Sequence, residues 1–467
     1  MEIISNIIGV IGSFVSWLWG IPILIILIGG GVLLSAAIGG VQFFRLGFIF
    51  KNTVGKLFDK EEQARKRAAG ISPVQAVVAA LAGTIGTGNI VGVGAAIALG
   101  GPGAMFWMWV CGFMAMAIKY SEVTLSVMYR QKTEDGSYRA GPFMYMKEGL
   151  GFKTLAYIFG IMALISISII AAIHANSITS NLVPIGASKY VICLVLVVFA
   201  IMVILGGMKG LVKITDKLVP IMTVTYIFIS LLVMIFHVGN IGTMILEIFR
   251  AAFTGQAAVG GFTGVTVVAA VRWGLARGVS SNDAGLGVSA SMQAQAESID
   301  HPAQQGMWAV IETFLVTIII CSLTGFMILS TGVWQNGGDG ATFAADALCS
   351  TFGVVGQWIC ILCLFLFGLS SLVGIVQSVK ISAVSSFNSP VLGTAFQILV
   401  LLLIIGGCLG NLSSIFVFAD LASGIILLLN VPTMILLWKP LHRTTKEWFG
   451  NNGNLEAIAR QRMEHKK

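Results

Sequence analysis

Charged residues are scarce in this sequence: Asp, Glu, Lys and Arg make up only 10% of its 467 residues. Hydrophobic residues make up 57%, and the mean hydropathy is +0.92. Soluble globular domains carry about 25% charged residues, so this composition excludes a water-soluble protein. The net charge of +8 does not indicate nucleic-acid binding, because the basic residues lie in short clusters between apolar runs of membrane-spanning length.

Histidine and cysteine are also few, and neither forms a cluster that predicts an enzyme or a metal centre. The five histidines are scattered, and no nucleophile has a neighbouring base. Cys360 and Cys363 form a C-x-x-C motif, but it lies in an apolar run without a second pair or a nearby histidine. We interpret them as two buried neighbours on a helix and not as a zinc or redox site. The sequence therefore predicts no enzyme activity and no cofactor.

Residues 1–20 lack a basic start and a small-residue cleavage site, so they do not predict a cleavable signal peptide. Trp17 and Trp19 instead indicate a helix that lies at the membrane interface. The rest of the chain contains eleven apolar runs close to 20 residues or longer, the length that crosses a bilayer. The predicted spans are 21–42, 73–99, 102–129, 154–180, 188–206, 218–238, 243–272, 305–331, 354–380, 390–409 and 414–437.

The basic residues orient these spans, because Lys and Arg are enriched in cytoplasmic loops. If the first span runs inward, all but three of the 28 Lys and Arg residues fall in inner segments. The exceptions are Lys119, Lys189 and Arg250. We predict a multi-pass protein of the cell inner (plasma) membrane, with its amino terminus outside and its carboxyl terminus in the cytoplasm.

Glycine interrupts two of the predicted spans, at Ala82–Asn89 in the second and at Thr254–Gly264 in the seventh. Glycines also let membrane helices pack closely, but two interruptions five spans apart match an inverted repeat with one discontinuous helix in each half. We predict an all-α membrane protein of eleven transmembrane helices, with one extra helix before a 5+5 inverted repeat. The units are 1–72 (interfacial helix, extra helix and basic linker), 73–238 and 243–437 (the two repeats) and 438–467 (cytoplasmic tail).

A helix that is interrupted inside the membrane predicts a binding site for a small polar solute. Its half-helix amino termini present N–H groups to a carboxylate, and its unwound carbonyls bind an ammonium or a metal ion. A nucleotide site at Gly86-Thr87-Gly88 does not fit, because this run is not a turn from strand to helix. A channel would need rings of charged or carbonyl groups along a pore, so we prefer a transporter with a central site.

Several longer motifs resemble those of the alanine or glycine:cation symporter family. They are Gly86–Val93, Gly100–Trp109, Lys119-Tyr120-x-Glu122, Ala175–Ile178 and Ala276–Gly287. The resemblance extends from about residue 20 to residue 440. It implies a leucine-transporter-like bundle with one extra helix in front, sodium as the coupling ion, and alanine or glycine as the substrate.

The same resemblance implies positions for the substrate and the cation. It places the substrate carboxylate on the N–H groups of Thr87 and Gly88. The substrate-binding candidates are Thr84, Gly86, Thr87, Gly88, His174, Gly260, Gly261, Phe262 and Ile375. The sodium candidates, whose oxygens suit a hard cation, are Ala82, Ile85, Asn89, Ser370 and Ser371. Serines in membrane helices also bond back to the preceding turn, and this alternative stays open for Ser370 and Ser371.

Three positions depart from the family pattern. Asp283 stands where the family usually has Glu, which keeps the carboxylate. His174 replaces a usual Gln, and Ile375 lies in a stretch that is usually rich in aromatics. A histidine can take a proton near neutral pH, and a wall without an aromatic admits a larger side chain. We predict sodium-coupled symport of a small neutral amino acid into the cell; the alternative is proton-coupled symport of a larger neutral amino acid.

Charged residues inside membrane spans are costly and usually functional. Lys119 and Glu122 are three residues apart, which predicts an ion pair on one helix face. Glu312 has no local partner, so it is expected either to bind a proton or cation or to pair with Lys119 or Lys380. Asp420 in the last span is likewise expected either to bind a proton or cation or to pair with a basic residue of another helix.

Arg272, Arg277 and Asp283 cluster where the seventh predicted span meets the cytoplasm. They predict either an inner gate or a solvated loop. The expected partners are thus an amino acid, sodium and the lipid bilayer, without nucleic acid, and the sequence does not indicate an oligomeric state.

Overall fold

The computed structural model describes residues 2–59, 61, 64, 68–134, 136–183, 186–255, 264–338, 340–410 and 416–464. Within these residues, the chain is almost entirely helical. Eight helices are long and apolar enough to cross a membrane, and one bent pair of helices adds a ninth candidate. These apolar helices support the predicted multi-pass membrane protein.

The amino-terminal part contains the first span and the first interrupted helix. Its elements are α1 (Glu2–Leu18), α2 (Ile21–Leu24), a π-helical segment (Ile25–Gly29), α3 (Gly30–Ala37), α4 (Val41–Phe44), α5 (Leu46–Asn52), a 3-10 turn (Val54–Phe58), α6 (Pro73–Thr84), a 3-10 turn (Thr87–Asn89), α7 (Val91–Gly100) and α8 (Gly103–Met128). The first candidate span is Gly9–Ala37, and it contains a break in helical geometry at Gly20, between α1 and α2.

The middle of the chain holds the one small sheet and the longest helix. Its elements are β1 (Gln131–Lys132), antiparallel to β2 (Tyr138–Arg139), α9 (Pro142–Met144), a π-helical segment (Tyr145–Gly149), α10 (Lys153–Leu182), α11 (Lys189–Phe236), a 3-10 turn (Val238–Asn240), α12 (Ile241–Thr254), α13 (Val267–Asn282) and α14 (Val288–Gln293). α11 covers two predicted spans and is non-helical only at Gly207 (φ 57°, ψ −151°). The predicted loop 207–217 is therefore helical beyond this glycine.

The carboxyl-terminal part is built from longer helices. Its elements are α15 (Pro302–Thr313), a π-helical segment (Phe314–Cys321), α16 (Ser322–Thr331), a 3-10 turn (Val333–Asn336), α17 (Phe343–Phe352), α18 (Val354–Phe387), α19 (Pro390–Leu409), α20 (Phe416–Leu436), α21 (Trp438–Gly450) and α22 (Leu455–Glu464).

The helices pack in two groups that face each other. α8 packs against α13 and α15, whereas α10 packs against α18, α19 and α20. Glycine permits the closest approaches: a Cβ on Gly274 of α13 would lie 2.5 Å from the Ala104 carbonyl oxygen of α8. α6 touches both groups, because it contacts α14 and α15 as well as α18. This position places the interrupted helix between the two groups.

Candidate functional site

The first interruption lies between α6 and α7, as predicted from the glycine motif. α6 ends at Thr84, and the backbone of Ile85 and Gly86 is extended before the next helical turn. The helices on either side are bent by 66° relative to each other. The Asn89 side-chain amide donates to the Thr84 carbonyl over 2.8 Å, so it satisfies a carbonyl that the break leaves without a helical partner.

The break also frees donor groups. Among the described residues, none accepts a hydrogen bond from the backbone N–H of Thr87 or Gly88. Both residues line a cavity of about 300 Å³, which we call the central cavity. Free N–H groups at the start of a helix attract anions. This part of the break therefore offers a position for a carboxylate.

The interruption that lines the cavity together with the first one, called the second interruption below, lies later in the chain than the glycine motif at Thr254–Gly264. The candidates Gly260, Gly261 and Phe262 lie outside the described residues. On either side of them, α12 ends at Thr254 and α13 begins at Val267, so the predicted span 243–272 contains two separate helices, as its glycine motif predicted. The interruption that lines the central cavity is Asp283–Gly287, between α13 and α14.

The backbone of this second interruption has left-handed geometry at three residues. They are Asp283 (φ 54°), Gly285 (φ 81°) and Gly287 (φ 83°). Glycine adopts this conformation without steric cost, and aspartate tolerates it better than most residues. A Cβ on Gly287 would also lie 2.7 Å from Pro142 Cγ. The Asp-Ala-Gly-Leu-Gly sequence thus fits the break that it forms.

The central cavity collects most of the predicted substrate candidates from the described residues. They are Thr84, Gly86, Thr87, Gly88, His174 and Ile375, and the gate candidates Arg277 and Asp283 also line it. Residues that were not predicted for the site include Trp19, Ser166, Ser280, Asp420 and Ser423. A volume of about 300 Å³ is at the small end for ligand pockets, which favours a small ligand.

His174 on α10 faces the first interruption. Its Nδ1 lies 2.9 Å from Thr87 Oγ1, so the two side chains share a hydrogen bond. A Cβ on Gly86 would lie 2.8 Å from His174 Cε1 and would overlap the Ser371 hydroxyl. Glycine at position 86 therefore lets α10 and α18 approach the break.

Four of the predicted cation candidates meet between α6 and α18. Ser370 Oγ lies 3.4 Å from the Ala82 carbonyl oxygen, and Ser371 Oγ lies 3.3 Å from the Ile85 carbonyl oxygen. All four residues are buried. Both hydroxyls point across to α6, so the alternative in which they bond back to their own helix is not the arrangement found.

A glycine on α18 permits this close approach. A Cβ on Gly374 would lie 2.8 Å from the Gly83 nitrogen of α6. The fifth cation candidate, Asn89, has other partners: its amide donates to Thr84 as described, and its Oδ1 accepts from Cys321 Sγ at 3.4 Å. Asn89 thus stabilises the break, and its side chain is engaged there.

The predicted ion pair between Lys119 and Glu122 is wrong. Lys119 Nζ lies 3.2 Å from Glu312 Oε1, and both side chains are fully buried. Lys119 also donates to the carbonyl oxygen of Asn282, the last residue of α13. A cation at this helix end is favoured by the helix dipole. Helix spacing alone could not identify the partner, because Lys119 lies between two other helices.

Glu312 on α15 binds both sides of the site. It accepts hydrogen bonds from Thr84 Oγ1 at 3.1 Å, Ser289 Oγ at 2.8 Å and Gln293 Nε2 at 2.5 Å. Thr84 ends the half-helix before the first interruption, and Ser289 and Gln293 belong to α14 after the second. One carboxylate therefore connects the two interruptions.

Glu122 has its own partners in the second interruption. Asn430 Nδ2 donates to Glu122 Oε1 at 2.6 Å and to the Gly285 carbonyl at 2.8 Å, and Gly285 N–H donates to Glu122 Oε2 at 3.4 Å. The Tyr145 hydroxyl donates to Asn430 Oδ1. The sequence analysis missed Asn430, although a single asparagine in an apolar span is a signal of a buried polar contact.

The three gate candidates do not form a cytoplasmic loop. Arg272 and Arg277 lie within α13, and Asp283 follows its last residue. Arg277 lines both the central cavity and a second cavity of about 670 Å³, which Arg272 also lines. Asp420 lines both cavities and lies close enough to Arg277 for electrostatic attraction. Arg277 and Asp420 therefore lie at the boundary of two cavities, whereas Arg272 lines only the second cavity and Asp283 only the central one.

Comparison with known proteins identifies one family and several similar transporters. The sodium:alanine symporter family matches residues 1–460. The sodium/alanine symporter AgcS of Methanococcus maripaludis is 36% identical over 334 residues, 70% of this chain and 72% of AgcS. YrbD of Bacillus subtilis, a putative sodium/proton-dependent alanine carrier protein, is 32% identical over 457 residues, 94% of this chain and 92% of YrbD.

A solved structure supports the fold. The crystal structure of MhsT in complex with L-phenylalanine, a leucine-transporter-fold protein, matches with a TM-score of 0.57 and 13% identity. The match covers 82% of this chain and 98% of MhsT. Because the family match covers nearly the whole chain, this protein belongs to the sodium:alanine symporter family, whose members are transporters and not enzymes.

Proposed function

We propose that this protein is a sodium-coupled symporter that carries a small neutral amino acid of the alanine or glycine class into the cell. The observation that carries the proposal is the meeting of four buried oxygens between α6 and α18, next to a cavity with free backbone N–H groups. An ion and a zwitterion can then bind on the same interrupted helix.

The spacing of these oxygens fits a cation. The contacts of 3.3 and 3.4 Å are longer than a usual O–H···O hydrogen bond of about 2.7–2.8 Å. Oxygens that surround a hard cation at about 2.4 Å lie about 3.4 Å apart when neighbouring ligands are at right angles. The cradle of Ala82, Ile85, Ser370 and Ser371 contains no carboxylate, which favours a monovalent ion such as sodium over a divalent one.

The substrate is proposed to lie in the central cavity. Its carboxylate binds the N–H groups of Thr87 and Gly88, with which no described residue competes. The Asp283 carboxylate lines the same cavity and attracts the substrate ammonium. Ile375 supplies an apolar wall for the substrate side chain. Gly260, Gly261 and Phe262 remain sequence-based proposals for the same site.

One observation favours the alternative of proton-coupled symport of a larger neutral amino acid. His174 lines the cavity and is hydrogen-bonded to Thr87 at the break. A free imidazole binds and releases a proton near neutral pH, whereas burial disfavours its charged form, so a proton must reach His174 from the cavity if it is to act as the coupling ion. The apolar wall at Ile375, which has no aromatic ring, leaves room for a larger substrate side chain.

We further propose eleven spans in an inverted 5+5 repeat. The number follows if α11 crosses the membrane twice around Gly207 and if α13 with α14 forms the second interrupted span. The units then remain 1–72, 73–238, 243–437 and 438–467. We propose that the protein lies in the cell inner (plasma) membrane. Its amino terminus is then outside the cell, and its carboxyl terminus is in the cytoplasm.

Counterflow in proteoliposomes tests the function. A panel of neutral amino acids is measured in sodium and in sodium-free buffer, with the pH gradient clamped. We expect exchange of alanine or glycine only with sodium. The double variant Ser370→Ala, Ser371→Ala should raise the half-saturating sodium concentration by about tenfold or more, equivalent to about 1.4 kcal/mol.

Ser378→Ala is the matched control, because this buried hydroxyl on α18 donates at 2.9 Å to Gly374 of its own helix. Its sodium dependence should equal that of the unmodified protein. A double variant with unchanged sodium dependence would contradict the cation site. Uptake driven equally well by a proton gradient alone would establish the alternative.

A further inference from the structure

Trp19 lies at the boundary between the central cavity and the second cavity. Trp19 lines both the central cavity and the second cavity, together with Arg277, Ser280 and Asp420. Among the described residues in the lining of the central cavity, Trp19 is the only Trp, Tyr or Phe. It comes from the first candidate span, which lies outside the predicted repeats. An element in front of the transport core thus reaches into the core.

The indole is held in place by α20. Trp19 Nε1 donates to the carbonyl oxygen of Asp420 at 2.9 Å. A Cβ on Gly424 would lie 2.6 Å from Leu18 Cδ2 and 3.4 Å from Trp19 Nε1, so this glycine lets α1 pack tightly on α20. The chain leaves helical geometry at Gly20, directly after the indole (φ −85°, ψ −125°). Trp19 is therefore fixed beside Asp420 at a bend in the chain.

The polar groups around Trp19 fit a passage for a zwitterion. Arg277 Nε is buried and has no hydrogen-bond partner among the described residues. Asp420, which carries the opposite charge, lines the same two cavities and lies near Arg277. On the second-cavity side, α1 presents small residues, among them Gly12 and Ser16. The boundary between the cavities thus presents an indole together with an arginine and an aspartate to a charged solute.

We propose that Trp19 is the partition that the substrate passes between the second cavity and the central cavity. This inference rests on the proposed function, in which the central cavity holds the amino acid. The indole closes the boundary with its ring, and its N–H fixes it to the Asp420 carbonyl. The first span thereby becomes part of the transport pathway and is more than a membrane anchor.

The labelling of introduced cysteines tests the partition, and it does not depend on transport activity. Ser423 lines the central cavity and does not line the second one, whereas Ser16 lines the second cavity and does not line the central one. Single cysteines at these positions are labelled with a charged, membrane-impermeant reagent, and the labelling of the protein without an introduced cysteine is subtracted. We expect Trp19→Ala to speed labelling of Ser423→Cys by about tenfold, a barrier change of about 1.4 kcal/mol.

The control is Ser16→Cys, whose labelling rate should not change when Trp19 is replaced. Trp19→Phe keeps a ring without the N–H, so it should speed labelling of Ser423→Cys less than Trp19→Ala does. Equal Ser423→Cys rates with and without the indole, in variants that elute as folded protein, would overturn the partition. Trp19→Ala that speeds labelling at both positions alike would also overturn it, because α1 would then merely have detached.

Amino acid counterflow of the unmodified protein separates this test from the proposed function. If counterflow fails and Trp19→Ala still speeds the labelling of Ser423→Cys, the partition is supported and the proposed substrate is wrong. If counterflow succeeds and Trp19→Ala does not change the labelling rate of Ser423→Cys, the cavity binds the substrate and Trp19 is only a packing residue.

Discussion

The buried ion pair of Lys119 and Glu312 gives a prediction of large magnitude. The two side chains are 0% exposed, and their charged atoms lie 3.2 Å apart. Removal of one partner from a buried pair leaves an uncompensated charge and costs about 3–5 kcal/mol. We expect Lys119→Met and Glu312→Gln each to lower the free energy of unfolding by about this amount. The double variant removes both charges, so its loss should be clearly smaller than the sum of the single losses.

The free energy of unfolding is measured in mixed micelles with a rising fraction of denaturing detergent. Glu148→Gln is the matched control, because Lys147 and Glu148 lie 3.1 Å apart but are 26% and 36% exposed. An exposed pair contributes less than about 1 kcal/mol. Single losses as small as that of the control, or a double loss equal to the sum, would refute the assignment of one buried, coupled pair.

Three further predictions concern the site and the topology. Gly86→Ala should abolish uptake, since its Cβ would lie 2.8 Å from the His174 ring, whereas Gly406→Ala on α19, outside the cavity lining, has nothing within 4 Å of its Cβ and should retain folding and uptake; equal uptake by both variants would contradict this packing. Uptake should weaken as pH falls, because a protonated His174 repels the substrate ammonium, and His174→Gln should remove this acid sensitivity; parallel profiles of the apparent Michaelis constant would exclude His174 from the site. A cysteine at Asn52 should be labelled only from the cytoplasm and one at Asn336 only from outside, and labelling of both from one face would reject the eleven-span topology.

The first interruption could be predicted because its signal is local. Glycines in a run such as Gly86-Thr87-Gly88 weaken a helix wherever they occur, and the structure breaks the helix directly before them. The cation cradle followed from the family resemblance, which named residues almost 290 positions apart in the chain. Periodicity or spacing could not have paired Ala82 with Ser370.

The interruption at Asp283–Gly287 was not predicted, because two signals pointed elsewhere. The segment from Thr254 to Gly264 is richer in glycine, and the count of basic residues assigned Arg272 and Arg277 to a cytoplasmic loop. In the structure both arginines belong to α13 and line cavities. The rule that basic residues lie inside applies to loops, so it fails for an arginine that serves a cavity within the protein.

The charged residues of α8 show the same limit. Lys119 and Glu122 share a helix face, but an i, i+3 ion pair contributes only about 0.2–0.5 kcal/mol. Contacts with other helices are stronger in a dry interior, because several hydrogen bonds converge on each charge. Lys119 therefore pairs with Glu312, and Glu122 pairs with Asn430. The sequence had left Lys119 and Lys380 as possible partners of Glu312, and the helix packing selects Lys119.

The strength of these contacts indicates which helices move together. Glu312 accepts hydrogen bonds from Thr84 on α6 and from Ser289 on α14, and each hydrogen bond to a charged group contributes about 1.5–3 kcal/mol. Separation of α6 from α14 would break these bonds where no water replaces them. The hydroxyl contacts between α6 and α18 are longer, at 3.3 and 3.4 Å, so this boundary is the weaker one. A cation held by those oxygens would strengthen only this weaker boundary. We therefore expect α6 and α14 to move as one unit relative to α18, with the bound cation closing the cavity that they share.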